Sequence, residues 1–172
     1  MHEDSLKEMS RIVQDELKPA HARALRVLDV GSRCVNTDFP HTYRELMPPS
    51  WTYLGADLEP GLNVDLVMAG PYSLPARSGR FDLIISGQVL KHVKNPFRLL
   101  AEMARALNPG GTIVLAAPWR HDKVHDHPVD CWRILPAGMR ALLEEAALKP
   151  RAVYMVKNDT WAIADKNGDP ER

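Results

Sequence analysis

The chain has 172 residues, enough for one domain with a sizeable core, and its composition of 45% hydrophobic and 26% charged residues is ordinary for a globular protein. The 22 Lys and Arg balance 22 Asp and Glu, which argues against a dedicated nucleic-acid or anionic-membrane surface, since both need a basic excess. No apolar run approaches the ~20 residues that span a bilayer, and the cysteines Cys34 and Cys131 lie in different motifs and suggest no disulfide framework.

The N-terminal stretch MHEDSLKEMSRIVQDEL is charged and amphipathic and lacks the apolar core of a secretory signal, so a cytoplasmic location is expected. Residues from about Ser5 to Ala24 read as a helix. Leu6, Met9, Ile12, Val13 and Leu17 fall near helical spacing, and Pro19 ends or kinks it. Arg26 to Val30 is the first strand. Thr52 to Leu58 is the second, followed by the turn signal Glu59-Pro60-Gly61. Val64 to Met68 is a short third strand, and Pro71 to Arg80 is a loop. Phe81 to Ser86 is a strongly apolar fourth strand. A helix is expected over Pro96 to Leu107, ended by a turn at Asn108-Pro109-Gly110-Gly111. Thr112 to Ala117 is the fifth strand, and a helix follows from Pro136 to about Leu148. Ala152 to Val156 and Trp161 to Ala164 flank Lys157-Asn158-Asp159-Thr160 like a closing hairpin.

Strands that alternate with helices, each almost wholly apolar, predict a mostly parallel sheet covered on both faces, with an antiparallel pair at one edge. The region between Ser32 and Trp51 is short of good helix, so the first crossover is abbreviated. Residues 71–80 are too few for another full crossover helix. The organisation is one domain over 1–172, with an N-terminal helix to residue 24, a core over 26–166 and a flexible tail at 167–172.

The run Arg26-Val27-Leu28-Asp29-Val30-Gly31 is the most informative stretch. A buried strand that stops at an acidic residue and a glycine is where an open α/β sheet presents its carboxyl edge to a ligand. Glycine, lacking Cβ, lets the backbone turn sharply and come close to that ligand. Asp57 repeats the pattern at the end of the second strand. Asp82, inside an apolar strand, reads as structural, as lying behind the site or as a direct ligand contact.

The most polar cluster is His121 to Arg133, after the fifth strand. A histidine there, His125 or His127, is placed to remove a proton from an attacking hydroxyl or amine. The alternative is a solvated loop in which Asp130 and Arg133 brace one another. Metal binding by His121, His125 and His127 fits no recognised spacing, and no metal is expected. Trp132 is packing or a pocket wall, and His92 is structural or a substrate contact.

The ordered pieces VLDVGS (27–32), YLGADLEPG (53–61), SLP (73–75), FDLIISGQVLKHV (81–93) and LNPGGTIVLAAP (107–118) resemble the class I S-adenosylmethionine-dependent methyltransferases, in their small type-11-like branch. The resemblance covers about residues 26–147. It implies a doubly wound, mostly parallel seven-stranded sheet with an antiparallel C-terminal edge, in a three-layer α/β/α arrangement. It implies S-adenosylmethionine as cofactor and methyl transfer to oxygen or nitrogen of a small-molecule acceptor, by a monomer or homodimer, without nucleic acid or membrane. On this resemblance Asp29 faces the cofactor's amino group and Gly31 and Ser32 form the turn beneath it. Arg33 stands where relatives carry glycine and pairs with the cofactor carboxylate. Asp57, with Leu58 beside it, accepts from the ribose hydroxyls, and Pro71 and Tyr72 pack near the adenine. Ser86, Gly87 and Gln88 line the methyl-donor region, and the acceptor lies among His92, Trp119, Asp130 and Trp132. A pyrophosphate-binding nicotinamide enzyme is disfavoured, because Arg33 and Val35 occupy positions where phosphate-approaching glycines are needed. The reading from another class is a non-catalytic binding or regulatory protein that keeps the fold.

Overall fold

The computed structural model describes residues 3–36, 38–120 and 129–168. The apolar runs form seven strands: β1 (Arg26–Val30), β2 (Thr52–Asp57), β3 (Leu66–Val67), β4 (Phe81–Gly87), β5 (Leu107–Pro118), β6 (Leu148–Val156) and β7 (Asp159–Lys166). They make one sheet in the order β3-β2-β1-β4-β5-β7-β6. The pairs from β3 to β5 are parallel, and β7 runs antiparallel between β5 and β6. The strand order reverses at β1, so the chain leaving β1 and the chain leaving β4 run to opposite sides of the sheet and open a crevice above their carboxyl tips, as the topology of open α/β sheets requires.

Side chains alternate across a strand, and the two faces sort accordingly. Leu28, Val30, Ala56 and Ile84 face the helices α2 (Pro96–Ala106) and α3 (Pro136–Glu145). Val27, Tyr53, Leu83 and Ile85 face the N-terminal segment, where Met9, Ile12 and Trp51 close the second core. The α2 helix starts well: the Asn95 side chain accepts from the Arg98 N–H, and Pro96 sits where its missing N–H costs nothing.

Two local readings change. The N-terminal helix is α-helical only over α1 (Glu3–Arg11). A wide π turn follows over Ile12–Glu16, closed by Leu17 N–H donating to the Ile12 carbonyl at 2.9 Å, and then a 3₁₀ turn at Lys18–Ala22 with Pro19 in its first turn. The widened turn keeps Ile12, Val13 and Leu17 buried together. Asn108-Pro109-Gly110-Gly111 is not a separate turn. It is the bulged beginning of β5: Phe81 pairs with Leu107, and Leu83 next pairs with Thr112. The connection between β1 and β2 is abbreviated, as expected: among its described residues it carries one 3₁₀ turn, Tyr43–Leu46, where Thr42 and Glu45 form a capping box.

Asp82 ties the amino ends of β1 and β4 to the bulge. It accepts from the Arg26 backbone N–H at 2.9 Å, from the Arg26 guanidinium at 3.0 Å, and from Asn108 Nδ2 at 2.6 Å. Burial pushes its carboxyl up, but the Arg26 and Asn108 hydrogen bonds outweigh that and bring it down to about 2. A depressed folded-state pKa gives stability that is present above the ordinary carboxylate range and lost as pH falls from about 4 to about 2. The expected worth is about 2 kcal/mol. Chemical unfolding of Asp82→Asn should show this as lower stability at pH 7 and a flatter acid limb than the parent.

Candidate active site

The crevice at the carboxyl tips of β1, β2 and β4 opens into a cavity of about 480 Å³. That lies inside the range of about 300–1,000 Å³ seen for small-molecule sites. Its floor is the turn after β1. Gly31 has φ +80°, and its N–H donates to the Ala56 carbonyl at 2.8 Å. A Cβ on Gly31 would stand 1.8 Å from Val89 Cγ2, so only glycine lets the β1 and β4 tips close together here. Ser32 and Asn63 then lock the turn reciprocally: Ser32 Oγ donates to the Asn63 carbonyl and Asn63 Nδ2 to the Ser32 carbonyl, both at 2.9 Å. Asn63 adopts φ 70° to do so. No motif in the sequence singled out Asn63; its place between Gly61 and the third strand was the only available signal.

Asp57 ends β2 at the cavity edge. One carboxylate oxygen accepts from the Arg33 backbone N–H at 3.1 Å, the other from the Glu59 N–H at 3.4 Å. A carboxylate has about four acceptor positions, so capacity remains for two ligand hydroxyls. The Arg33 guanidinium folds outward onto Glu59 and packs over Gly61, which accommodates a large side chain at this point of the turn.

Of the cofactor residues read from sequence, Gly31, Ser32, Arg33, Asp57, Leu58, Pro71, Gly87 and Gln88 line the cavity, and so does His92. Three do not. Asp29 points to the other face of the sheet, as the alternation from Val27 demands, and accepts from the Tyr53 hydroxyl behind the turn. Burial pushes its carboxyl up to about 7, against the Tyr53 hydrogen bond. It lies beneath the Gly31 turn and is not among the residues that line the cavity. Ser86 is buried and donates to the Val30 carbonyl at 2.8 Å, joining β4 to β1. Tyr72 turns away, its hydroxyl accepting from the Asn95 N–H at 3.0 Å under the Arg98 guanidinium.

The acceptor residues are placed differently from expectation. Trp119 Nε1 donates to the Lys157 carbonyl at the β6–β7 turn, and Trp132 Nε1 donates to the Val93 carbonyl. Asp130 is held by the Arg133 guanidinium through two hydrogen bonds. These three brace the strap that follows β5 and do not line the cavity. His125 and His127, with His121, lie outside the described residues. Among the described residues no group of His, Cys, Asp and Glu has the geometry of a metal site. The structure adds Tyr43, Lys91 and Val89 to the lining. Tyr43 came from the helix-poor stretch, and its ring packs against Gly87, whose missing side chain makes the room.

A family model described as a methyltransferase domain matches residues 20–115, more than half of the chain. The chain belongs to that family, the type-11 branch of the class I S-adenosylmethionine-dependent methyltransferases. A ubiquinone biosynthesis O-methyltransferase of Parvibaculum lavamentivorans is 34% identical over 67 residues, covering 39% of this chain and 26% of that protein. An uncharacterized methyltransferase of Mycolicibacterium gilvum is 34% identical over 100 residues, 55% of this chain and 39% of that one. The chain thus spans between about a fifth and two fifths of the length of the curated relatives it matches. In fold it is similar to a Burkholderia thailandensis 1,6-didemethyltoxoflavin-N1-methyltransferase crystallised with 1,6-didemethyltoxoflavin and S-adenosylhomocysteine. The TM-score is 0.72 at 17% identity, over 94% of this chain and 78% of that one.

The residues at the cavity of this methyltransferase domain fit the family's cofactor. Gly31 gives the backbone close approach, and Asp57 supplies an acceptor for a diol. Gln88 is held at φ 70°, an unusual backbone conformation at the tip of β4. No helix of the described residues is long and apolar enough to cross a membrane.

Proposed function

We propose that the domain transfers a methyl group from S-adenosylmethionine to an oxygen or nitrogen of a small-molecule acceptor, in the making of a secondary metabolite or sugar. The observation that carries the reading is the meeting of Gly31, Asp57 and Gln88 around one cavity at three strand tips. The named activities of the Parvibaculum and Burkholderia proteins, O- and N-methylation, lend it chemical range.

When bound, the cofactor supplies a methyl carbon that is already electrophilic on a sulfonium. The protein's contribution is then chiefly positional, holding donor and acceptor in line. Gly31 and Ser32 shape the floor under the methionine part, and Asp57 holds the ribose. Gln88 and His92 lie toward the acceptor. The His92 Nδ1 stands 2.6 Å from the Val129 carbonyl. A carbonyl only accepts, so Nδ1 carries the proton and the lone pair of the neutral ring is on Nε2. That hydrogen bond fixes the orientation of the His92 ring beside the cavity.

Incubation with methyl-labelled S-adenosylmethionine and a panel of small phenols, amines and carboxylic acids tests the activity. Label is expected in at least one acceptor, with S-adenosylhomocysteine formed in equal amount. Cofactor binding without transfer to any of them would favour the binding-protein reading instead.

A further inference from the structure

Lys91 is the one cation of the described cavity lining that is nearly removed from solvent, at 5% exposure. It follows β4 on a 3₁₀ turn, Leu90–His92, and its carbonyl accepts from the Cys131 N–H at 2.8 Å, so the strap after β5 fixes its backbone. Among the described residues no carboxylate lies within ion-pair distance of its Nζ. The nearest acids are spoken for or displaced: Asp130 is forked by Arg133, with Nη2 to Oδ2 at 2.8 Å, and Asp159 begins β7 and acts only through space. A buried ammonium without a direct counter-ion is costly. Burial lowers its pKa, and Asp130 and Asp159 oppose that from a distance.

A second donor in the same cavity also lacks a partner: the buried Nε2 of Gln88. Two unmatched donors on adjoining turns of one segment call for an anionic oxygen pair. Strand order says whose it is. Lys91 feels Asp130 and Asp159, which lie on the β5 and β7 side of β4, whereas Asp57 ends β2 on the far side of β1. The adenosyl end belongs with Asp57, so the anion at Lys91 belongs to the other ligand.

We infer that Lys91, with Gln88, forms a carboxylate subsite on the acceptor side of the cavity, so that the acceptor is a small organic acid. This rests on the proposed methyltransferase reading. The ammonium sets the charge preference and the carboxamide sets the orientation of the carboxylate.

The test is calorimetric, on the full chain saturated with S-adenosylhomocysteine, with benzoate and its neutral isostere benzamide as probes. Benzoate is expected to bind at least tenfold more tightly than benzamide. Lys91→Met should erase that preference while changing S-adenosylhomocysteine affinity less than twofold, and Lys91→Arg should retain the preference. Intact circular dichroism and melting behaviour of Lys91→Met accompany the comparison. Equal binding of the two probes, or binding of neither, overturns the inference. So does a tenfold loss of S-adenosylhomocysteine affinity in Lys91→Met with 5′-methylthioadenosine unaffected, because the subsite would then hold the cofactor's own carboxylate. If the parent binds no S-adenosylhomocysteine at all, it is the methyltransferase reading that fails, and that result is separate.

Discussion

Gly31→Ala is expected to weaken S-adenosylhomocysteine binding by more than tenfold and to destabilise the fold by about 2–4 kcal/mol. Two independent effects add. The left-handed backbone at φ +80° strains any residue with a Cβ, at a cost of about 1–2 kcal/mol. The new methyl would also stand 1.8 Å from Val89 Cγ2, a distance that no contact sustains, so the β1 and β4 tips must separate. That separation would spoil the turn proposed to seat the cofactor. The double variant Gly31→Ala with Val89→Ala removes the clash and leaves the strain. It should recover most of the lost binding and part of the lost stability in a calorimetric and denaturation cycle. If the double variant is no better than the single one, packing between the strand tips is not what Gly31 serves.

Asp57→Ala should lower S-adenosylhomocysteine affinity by about 10- to 100-fold, the range expected for losing hydrogen bonds to a charged acceptor, each worth about 1.5–3 kcal/mol. Part of that loss is indirect, because Asp57 also receives the Arg33 and Glu59 N–H groups and orders the turn between them. The two parts separate with the 2′,3′-dideoxy analogue of the ligand. The parent protein should bind that analogue much more weakly than S-adenosylhomocysteine, while Asp57→Ala should bind the two alike. If the parent does not distinguish them, Asp57 organises the loop and does not hold the ribose.

The sheet was legible because its strands are nearly unbroken apolar runs, a pattern that only a two-sided buried sheet explains. Gly31 and Asp57 were legible for a related reason: each ends such a run, and open sheets bind at strand ends. Asp29 shows where that rule stops short. Its position along the strand is right for a ligand, but alternation from Val27 sends its side chain to the face under the N-terminal segment, and the same alternation was readable in the sequence. Asn108 to Gly111 read as a turn because proline and glycine favour turns. The β4–β5 pairing overrides this by absorbing the segment as a bulge. Trp119, Asp130 and Trp132 were placed with the acceptor through the family resemblance. Their hydrogen bonds to Lys157, Arg133 and Val93 are long-range or local braces that no one-dimensional pattern marks. Lys91 follows the apolar Leu90 and precedes His92, and its burial beside the segment whose Cys131 N–H reaches its carbonyl is a long-range contact that no one-dimensional pattern marks.

The idea underlying all of this is that the tips of β1 and β2 seat an adenosyl sulfonium. Isothermal titration of the unmodified protein with S-adenosylhomocysteine tests it most directly. A single saturable site with micromolar affinity is predicted, strengthened relative to adenosine alone. A titration without heat or saturation up to millimolar ligand, with the protein shown to be folded, would contradict it.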